Sequence, residues 1–333
     1  MTSTADAGTT SATKCHRILL TGAGGCLGGY LLEEFMNESP EHLVLLLRDP
    51  DKIRIGSTWR ERLTIIRGDL NELDPVLPQI ENIDQAVLAA ACWGGSETFP
   101  VNVMANLRLT IHLAARGCCR IIYLSTASVL DREGNLLPAA RDLGSEYIRS
   151  KYRLVEVMEN LEFLQKTEII GLFPTLILGG GPGKPYSHFA RLLQRTLPWA
   201  WLWPFLRAEG AFHFIHGLDI ARIVRHLTES PLAPAESPRR IVLGNPVLSV
   251  NEFIGEFSAY LGKKAFFQVN LKSCLIEALI KIFRIRLSPW DRYCLEKRDL
   301  SFQNAVNPSA FGLPVYCPNP AAGLAAIDIK AEQ

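Results

Sequence analysis

Tyr147 and Lys151 stand four residues apart in a stretch whose apolar spacing predicts a helix, so both side chains project from one face about one turn apart. A phenol and an ammonium so placed can relay a proton: the phenol titrates at about 10, and a nearby positive charge stabilises the phenolate and draws that value down. Taken alone, the spacing equally fits a surface pair on a helix. Just upstream, Leu124-Ser125-Thr126-Ala127-Ser128 ends an apolar run. Ligands of open α/β sheets bind at the carboxyl ends of strands, where a hydroxyl can orient a carbonyl or an alcohol toward the phenol. Strand-end hydroxyl, helix tyrosine and helix lysine are the three parts that hydride transfer with proton relay requires.

A second constellation could hold the hydride carrier. In Thr21-Gly22-Ala23-Gly24-Gly25-Cys26-Leu27-Gly28, three glycines recur at three-residue intervals between an apolar run and an amphipathic stretch. Gly22 suits a tight turn, Gly25 lets backbone amides approach a pyrophosphate, and Gly28 permits close helix-to-strand packing. The helix start beyond them offers unpaired N–H groups and a positive dipole end. Twenty residues past Gly28 lies Arg48, followed by Asp49, at the tip of the next strand, where an adenosine ribose would sit. A guanidinium favours a 2′-phosphate and a carboxylate a free 2′-hydroxyl. Arg48 comes first and Asp49-Pro50 resembles a turn, so NADP is expected ahead of NAD; the alternative is that both side chains only solvate a loop.

These groups need a scaffold, and the chain repeats one pattern. HRILLTG, LVLLLRD (43–49), LTIIRGDL (63–70), AVLAAA (86–91), RIIYLSTAS (120–128) and TEIIGLFPTLILG (167–179) are continuous apolar runs, as in parallel strands buried on both faces. Helical stretches lie between them, including 102–116 and about 145–164. The fold class expected is α/β, a doubly wound parallel Rossmann sheet with a smaller C-terminal substrate-binding lobe. Residues 1–15 read as a disordered leader, 16–180 as the dinucleotide-binding domain and 181–330 as the lobe, with 212–245 returning to the core.

Composition narrows the function classes. Lys plus Arg is 35 and Asp plus Glu 34, a net charge of +1 that gives no reason to expect a nucleic-acid partner. Eight cysteines are scattered without metal-ligand spacing, so reduced thiols, a cytoplasmic setting and no metal site are expected. No run reaches the roughly 18 apolar residues needed to span a bilayer.

The ordered motifs resemble an extended short-chain dehydrogenase/reductase, the group that includes NAD(P)-dependent epimerases, dehydratases and hydroxysteroid or aldehyde reductases. The resemblance covers about residues 16–265. It is carried by the Gly22-x-x-Gly25-x-x-Gly28 turn, Gly68-Asp69-Leu70, Ala89-Ala90-Ala91, Asn102-Val103, the strand with Ser125 and Thr126, Tyr147-x-x-x-Lys151, Phe173-Pro174-Thr175 and Phe214-Ile215-His216-Gly217-Leu218-Asp219. It implies Tyr147 as acid/base, Lys151 lowering its pKa and holding the cofactor ribose, and Thr126 as the catalytic hydroxyl, with Ser125 the alternative if the register slips by one. It further implies Asp69 at the adenine beside Leu70, Ala90 along the cofactor, Pro174 at the nicotinamide, structural roles for His216 and Asp219, and a homodimer through the Tyr147 helix. Phe173 stands where many sugar-nucleotide members carry Arg, and Leu130-Asp131 replaces the usual Tyr-Gly; both departures weaken the case for a nucleotide-sugar substrate.

Two later segments bear on the substrate or partner. Leu197–Leu206 holds three tryptophans and a phenylalanine, expected either to line an apolar binding surface or to pack as a buried cap. Residues 271–287 form a basic amphipathic pattern that fits core packing, with peripheral membrane contact as the alternative. The function expected is NAD(P)-dependent hydride transfer on a carbonyl or alcohol of an apolar small molecule. The alternatives are a nucleotide-sugar epimerase or dehydratase and a non-catalytic dinucleotide-binding scaffold, the last disfavoured by the presence of Tyr147, Lys151 and Thr126 together.

Overall fold

The computed structural model describes residues 16–161, 166–232, 239–264, 267–271 and 286–329. Seven parallel strands form its centre: β1 (Arg17–Thr21), β2 (His42–Leu47), β3 (Leu63–Arg67), β4 (Gln85–Leu88), β5 (Arg120–Leu124), β6 (Glu168–Pro174) and β11 (Arg239–Leu243). Four short strands come before the last of these, namely β7 (Leu176–Leu178), β8 (Leu206–Arg207), β9 (Ala211–Phe212) and β10 (Phe214–His216). The spatial order β3-β2-β1-β4-β5-β6-β11 reverses direction between β1 and β4, the switch point at which doubly wound sheets bind ligands.

The continuous apolar runs are explained by alternate residues feeding two cores. Ile18, Leu20, Ile122 and Leu124 point to the face covered by α1 (Cys26–Glu38) and α6 (Gly217–Glu229). Leu19, Ile121 and Tyr123 point to the other, covered by α2 (Asn106–Ala115) and α4 (Glu146–Glu159). A third core, built on Leu178, Leu193, Phe214, Phe253 and Phe257, organises the lobe with α5 (His188–Thr196) and α7 (Val250–Tyr260).

Three expected elements differ in detail. The run 167–179 is two strands, because the Thr175 N–H and Oγ1 both donate to Leu243 O at 2.9 Å, turning the chain so that β7 pairs with β10 instead of extending β6. The run 212–216 is likewise divided at His213, whose ring accepts from the Phe302 N–H (3.0 Å) and donates through Nδ1 to Asn245 O (2.6 Å). The helix from 102 begins as a π-helical turn, Pro100–Ala105, whose freed Val101 and Asn102 carbonyls accept from Asn106 Nδ2 at 3.1 Å. Residues 1–15 and 272–285, which carry the expected leader and most of the basic amphipathic segment, lie outside the described residues.

One buried ion pair ties the sheet to α6. Arg120 is 2% exposed; its Nε donates to Glu168 Oε2 at 2.6 Å, and its other nitrogens donate to Leu227 O, Ser230 O and Pro231 O at the end of α6. Arg120→Met would leave Glu168, among the described residues, only its longer 3.5 Å contact with half-exposed Arg239 and would take the donor from three carbonyls. The expected loss of unfolding free energy is about 3–5 kcal/mol, measurable as a lower urea midpoint at unchanged slope.

Candidate active site

A cleft of about 890 Å³ opens at the carboxyl ends of β1 and β4, and every residue expected to act in catalysis or cofactor binding lines it. That volume lies in the range of small-molecule sites.

The glycine turn is shaped by its contacts. Gly22 has φ +79°, and a Cβ there would lie 2.7 Å from Ala90 Cα on β4's exit. A Cβ on Gly28 would lie 1.9 Å from Gly22 O, so only glycine lets α1 start this close to β1. The N-cap of α1 is Gly25, with no side chain capping the first turn and no acidic residue in it. Its free N–H groups and positive dipole end form a cradle for a diphosphate. Cys26 sits in that turn as a neutral thiol, because burial pushes its pKa up to about 11 against the pull of Lys184 and Arg191. A dinucleotide fits this cradle: Gly22 and Gly28 let β1, α1 and the exit of β4 close up on one another, and Gly24 and Gly25 bring bare backbone to the cleft.

At the ribose end, Arg48 is exposed, and its guanidinium lies 3.7 Å from Asp69 and 3.8 Å from Glu97. Asp49 accepts from the Asp51 N–H and lies 3.5 Å from Lys52 Nζ. Asp69 also accepts from the Asn71 N–H at 2.9 Å, fixing the turn after β3. Ala90 is held by its N–H donating to Thr21 Oγ1 (3.2 Å), and buried Pro174 closes the far wall.

The catalytic end is built on α4, whose N-cap Ser145 accepts from the Ile148 N–H. Lys151 is 2% exposed and donates from Nζ to Leu124 O at 2.7 Å, which leaves two of its three donors for a ligand. Its Nζ lies 5.9 Å from the centre of the Tyr147 ring. Burial holds the Lys151 pKa down at about 8. Tyr147 departs from expectation: its pKa is raised rather than lowered, because burial desolvates the phenolate. Ser125 is buried, with Oγ 3.5 Å from Lys151 O, whereas Thr126 accepts from the Ser128 N–H and caps the short turn that follows β5. Both hydroxyls face the cleft.

One side of the Tyr147 ring is covered by Trp93, a residue with no role expected from the sequence. Its indole stacks on the Tyr147 ring at 3.9 Å and 11°, and His188 packs against it at 4.0 Å. Its place just past β4, at the same sheet edge as Ala89–Ala91, is the signal that would have found it. Asn102 fixes this loop to the catalytic helix: it exchanges hydrogen bonds with the Cys92 N–H and carbonyl (both 2.8 Å) and donates to Ser150 Oγ at 2.9 Å. From the lobe, Phe189, Phe212, Trp290, Tyr293 and Phe302 add aromatic walls and Arg191 and Lys297 add cations, joined by Arg132 from the loop after β5.

Two other expectations resolve into structure. His216 caps α6 by accepting from the Leu218 N–H, and Asp219 accepts from the Tyr316 and Cys317 N–H groups. The tryptophans of 197–206 do not line the cleft. Residues 197–205 form a 3₁₀ helix in which Ala200 and Trp203, three apart, share the inward face, and Trp203 stacks on Phe257 at 4.3 Å. Trp199 and Trp201 are thereby turned outward.

Solved structures share this fold. A dTDP-glucose 4,6-dehydratase from Bacillus anthracis str. Ames in complex with NAD is 12% identical, with a TM-score of 0.65 over 95% of this chain and 96% of that one. A UDP-glucuronic acid 4-epimerase from Bacillus cereus in complex with NAD is 20% identical, with a TM-score of 0.62 over 94% and 98%. A thiolation-reductase di-domain from an archaeal non-ribosomal peptide synthetase is 16% identical, with a TM-score of 0.69 over 95% of this chain and 75% of that one. No curated protein sequence matches. At these identities the structural likeness establishes the fold alone. Residues 18–244 match the family described as the NAD dependent epimerase/dehydratase family, more than half of the chain, and with the glycine cradle and the Tyr147–Lys151 pair in one cleft this protein belongs to that family.

Proposed function

We propose that the protein is an NADP-preferring reductase of the extended short-chain type, acting on the carbonyl of an apolar small molecule. The observation that carries this reading is the wall around Tyr147: Trp93 stacked on the phenol and Phe189, Phe212, Trp290 and Phe302 across the cleft, an apolar and aromatic surface. Such walls bind flat or greasy substrates through area rather than through charge.

The dinucleotide, held by the α1 cradle, Asp69 and Lys151, supplies or accepts hydride when bound. Burial holds the Tyr147 pKa above its ordinary value, so the protonated phenol can donate to a carbonyl oxygen as hydride is delivered, and the same group takes that proton back in the reverse reaction. Lys151, an ammonium below its pKa of about 8, stabilises the phenolate left behind and is fixed in place by Leu124 O. Thr126 or Ser125 hydrogen-bonds the substrate oxygen. Arg48 and Lys52 flank the ribose end and favour a 2′-phosphate.

A pH dependence follows from Lys151. Below about 8 it is charged and supports the phenolate; above that value it becomes a neutral amine and the support is lost. The expected result is a kcat/KM that falls about tenfold per pH unit above the Lys151 pKa, read from initial rates with reduced cofactor. A limb near the ordinary lysine value would count against the burial.

Arg132, Arg191 and Lys297 in the same cleft favour a second reading, a nucleotide-sugar epimerase or dehydratase in which these cations hold the diphosphate. One experiment separates the two: absorbance of NADPH and NADH is followed with a panel of aldehydes, ketones and UDP-sugars. Net oxidation of NADPH by an apolar carbonyl compound is expected. Turnover of a UDP-sugar with no net change in cofactor would replace the reductase reading with the second.

A further inference from the structure

The lobe end bearing Trp199 and Trp201 lies outside the cleft, and its surface is unusual. Trp199 is 62% exposed and Trp201 56%, on the two outward faces left when Ala200 and Trp203 turn to the core. Further along the same 3₁₀ helix, the Phe205 ring packs 5.1 Å from Phe267, which is itself 64% exposed. The strand pair of β8 with Val269–Asn270, and Gln268 Nε2 donating to Pro204 O, fix residues 267–270 beside 204–207. At about 2 Å of rise per residue, Trp201 and Trp199 lie within about 8 and 12 Å of Phe205 along the helix axis. At three residues per turn Trp199 and Trp201 lie about 60° to either side of the direction away from Ala200 and Trp203, and Phe205 repeats the azimuth of Trp199, so the aromatic groups share the outward side of this helix.

Cations border this face. Arg195 ends α5 just before the tryptophans, Arg207 follows Phe205 in β8, and Lys264 precedes Phe267; all three are exposed, and among the described residues none has an ion-pair partner. The nearby acids are Glu209, paired with Arg298 at 2.5 Å, Glu252, engaged in the cap of α7, and exposed Glu256 on α7. The balance around the aromatics is positive.

We infer that this face docks on an anionic phospholipid surface, with Trp199, Trp201 and Phe267 at the headgroup level and Arg195, Arg207 and Lys264 over the lipid charge. Tryptophan, with an apolar ring and a polar N–H, is the side chain best suited to the boundary between hydrocarbon and water. Unpaired cations beside it add an attraction that depends on anionic lipid and on salt. A second copy of the chain is disfavoured as occupant, because a two-fold contact would bring the same three cations against themselves. No helix among the described residues is long and apolar enough to cross a membrane, so the contact lies on the surface.

The test is flotation of the full chain with vesicles of phosphatidylcholine alone and of equal parts phosphatidylcholine and phosphatidylserine. The protein is expected to float with the mixed vesicles only, and to be released as salt rises from about 0.05 to about 0.5 M, where the Debye length contracts severalfold. The double substitution Trp199→Ser/Trp201→Ser, and separately Arg195→Glu/Arg207→Glu, should each lower the bound fraction about tenfold or more. All four positions are exposed, so unchanged circular dichroism and thermal midpoints are expected of both variants. Absence of flotation, equal binding to neutral vesicles, or full binding by either variant would overturn the inference. So would a dimer in sedimentation that the tryptophan variant dissociates, which would assign the face to a second copy. None of these readouts involves hydride transfer, so they stand or fall apart from the reductase reading.

Discussion

Tyr147→Phe is expected to lower carbonyl-dependent NADPH oxidation by about 10²–10⁴-fold, the range for loss of a positioned general acid. The substitution removes one oxygen and keeps the ring on which Trp93 stacks, so the loop after β4 and the start of α4 retain their packing. Dinucleotide affinity, measured by calorimetry or by quenching of protein fluorescence, should change little, because the cradle lies at the other end of the cleft on α1. A kcat lowered with an unchanged dissociation constant identifies Tyr147 as acting on the transition state rather than on binding. Retention of full turnover by the Phe variant would remove Tyr147 from the chemistry and return the Tyr147–Lys151 pair to a structural role.

Gly28→Ala should have the second large effect, on binding instead of chemistry. The added methyl would meet Gly22 O at 1.9 Å, Gly22 C at 2.6 Å and Ala23 Cα at 2.7 Å, all of them backbone atoms that no rotamer can clear. Relief requires α1 to retreat from the β1 turn, and overpacking of this kind costs about 1–3 kcal/mol, while the displaced helix start loses its aim on the diphosphate. Dinucleotide affinity is expected to fall by about two orders of magnitude, about 3 kcal/mol. Gly24→Ala is the matched control, because the nearest atom to its added methyl is Lys52 Cβ at 3.8 Å, ordinary contact. Affinity within about threefold of the parent, under 1 kcal/mol, is expected there. Equal losses in the two variants would show that the cradle is not set by the approach of α1 to β1.

Trp93 connects the two readings of the cleft. It covers one side of the phenol ring, whose burial raises the pKa, and also brings an indole to the cleft wall beside Tyr147, where it adds apolar surface for a substrate. The Asn102 contacts with Cys92 and Ser150 hold it to α4 across a long separation in sequence.

Six strands of the parallel sheet, the glycine turn and the Tyr147–Lys151 pair were all legible in the sequence, because each is a local property. Burial on both faces makes a strand continuously apolar, a cradle leaves glycines at fixed intervals, and a helix places residues four apart on one face. Tertiary structure alone decided the break of the sixth strand at Thr175, which depends on Leu243 from another strand, and the outward turn of Trp199 and Trp201, set by which face of a 3₁₀ helix meets Phe257. It also decided the direction of the Tyr147 pKa shift and the identity of the walls around the phenol. Charge pairing can be guessed from two neighbouring residues, but desolvation sums over every atom that excludes water, and here those atoms come from Trp93 and from distant segments that only folding brings together.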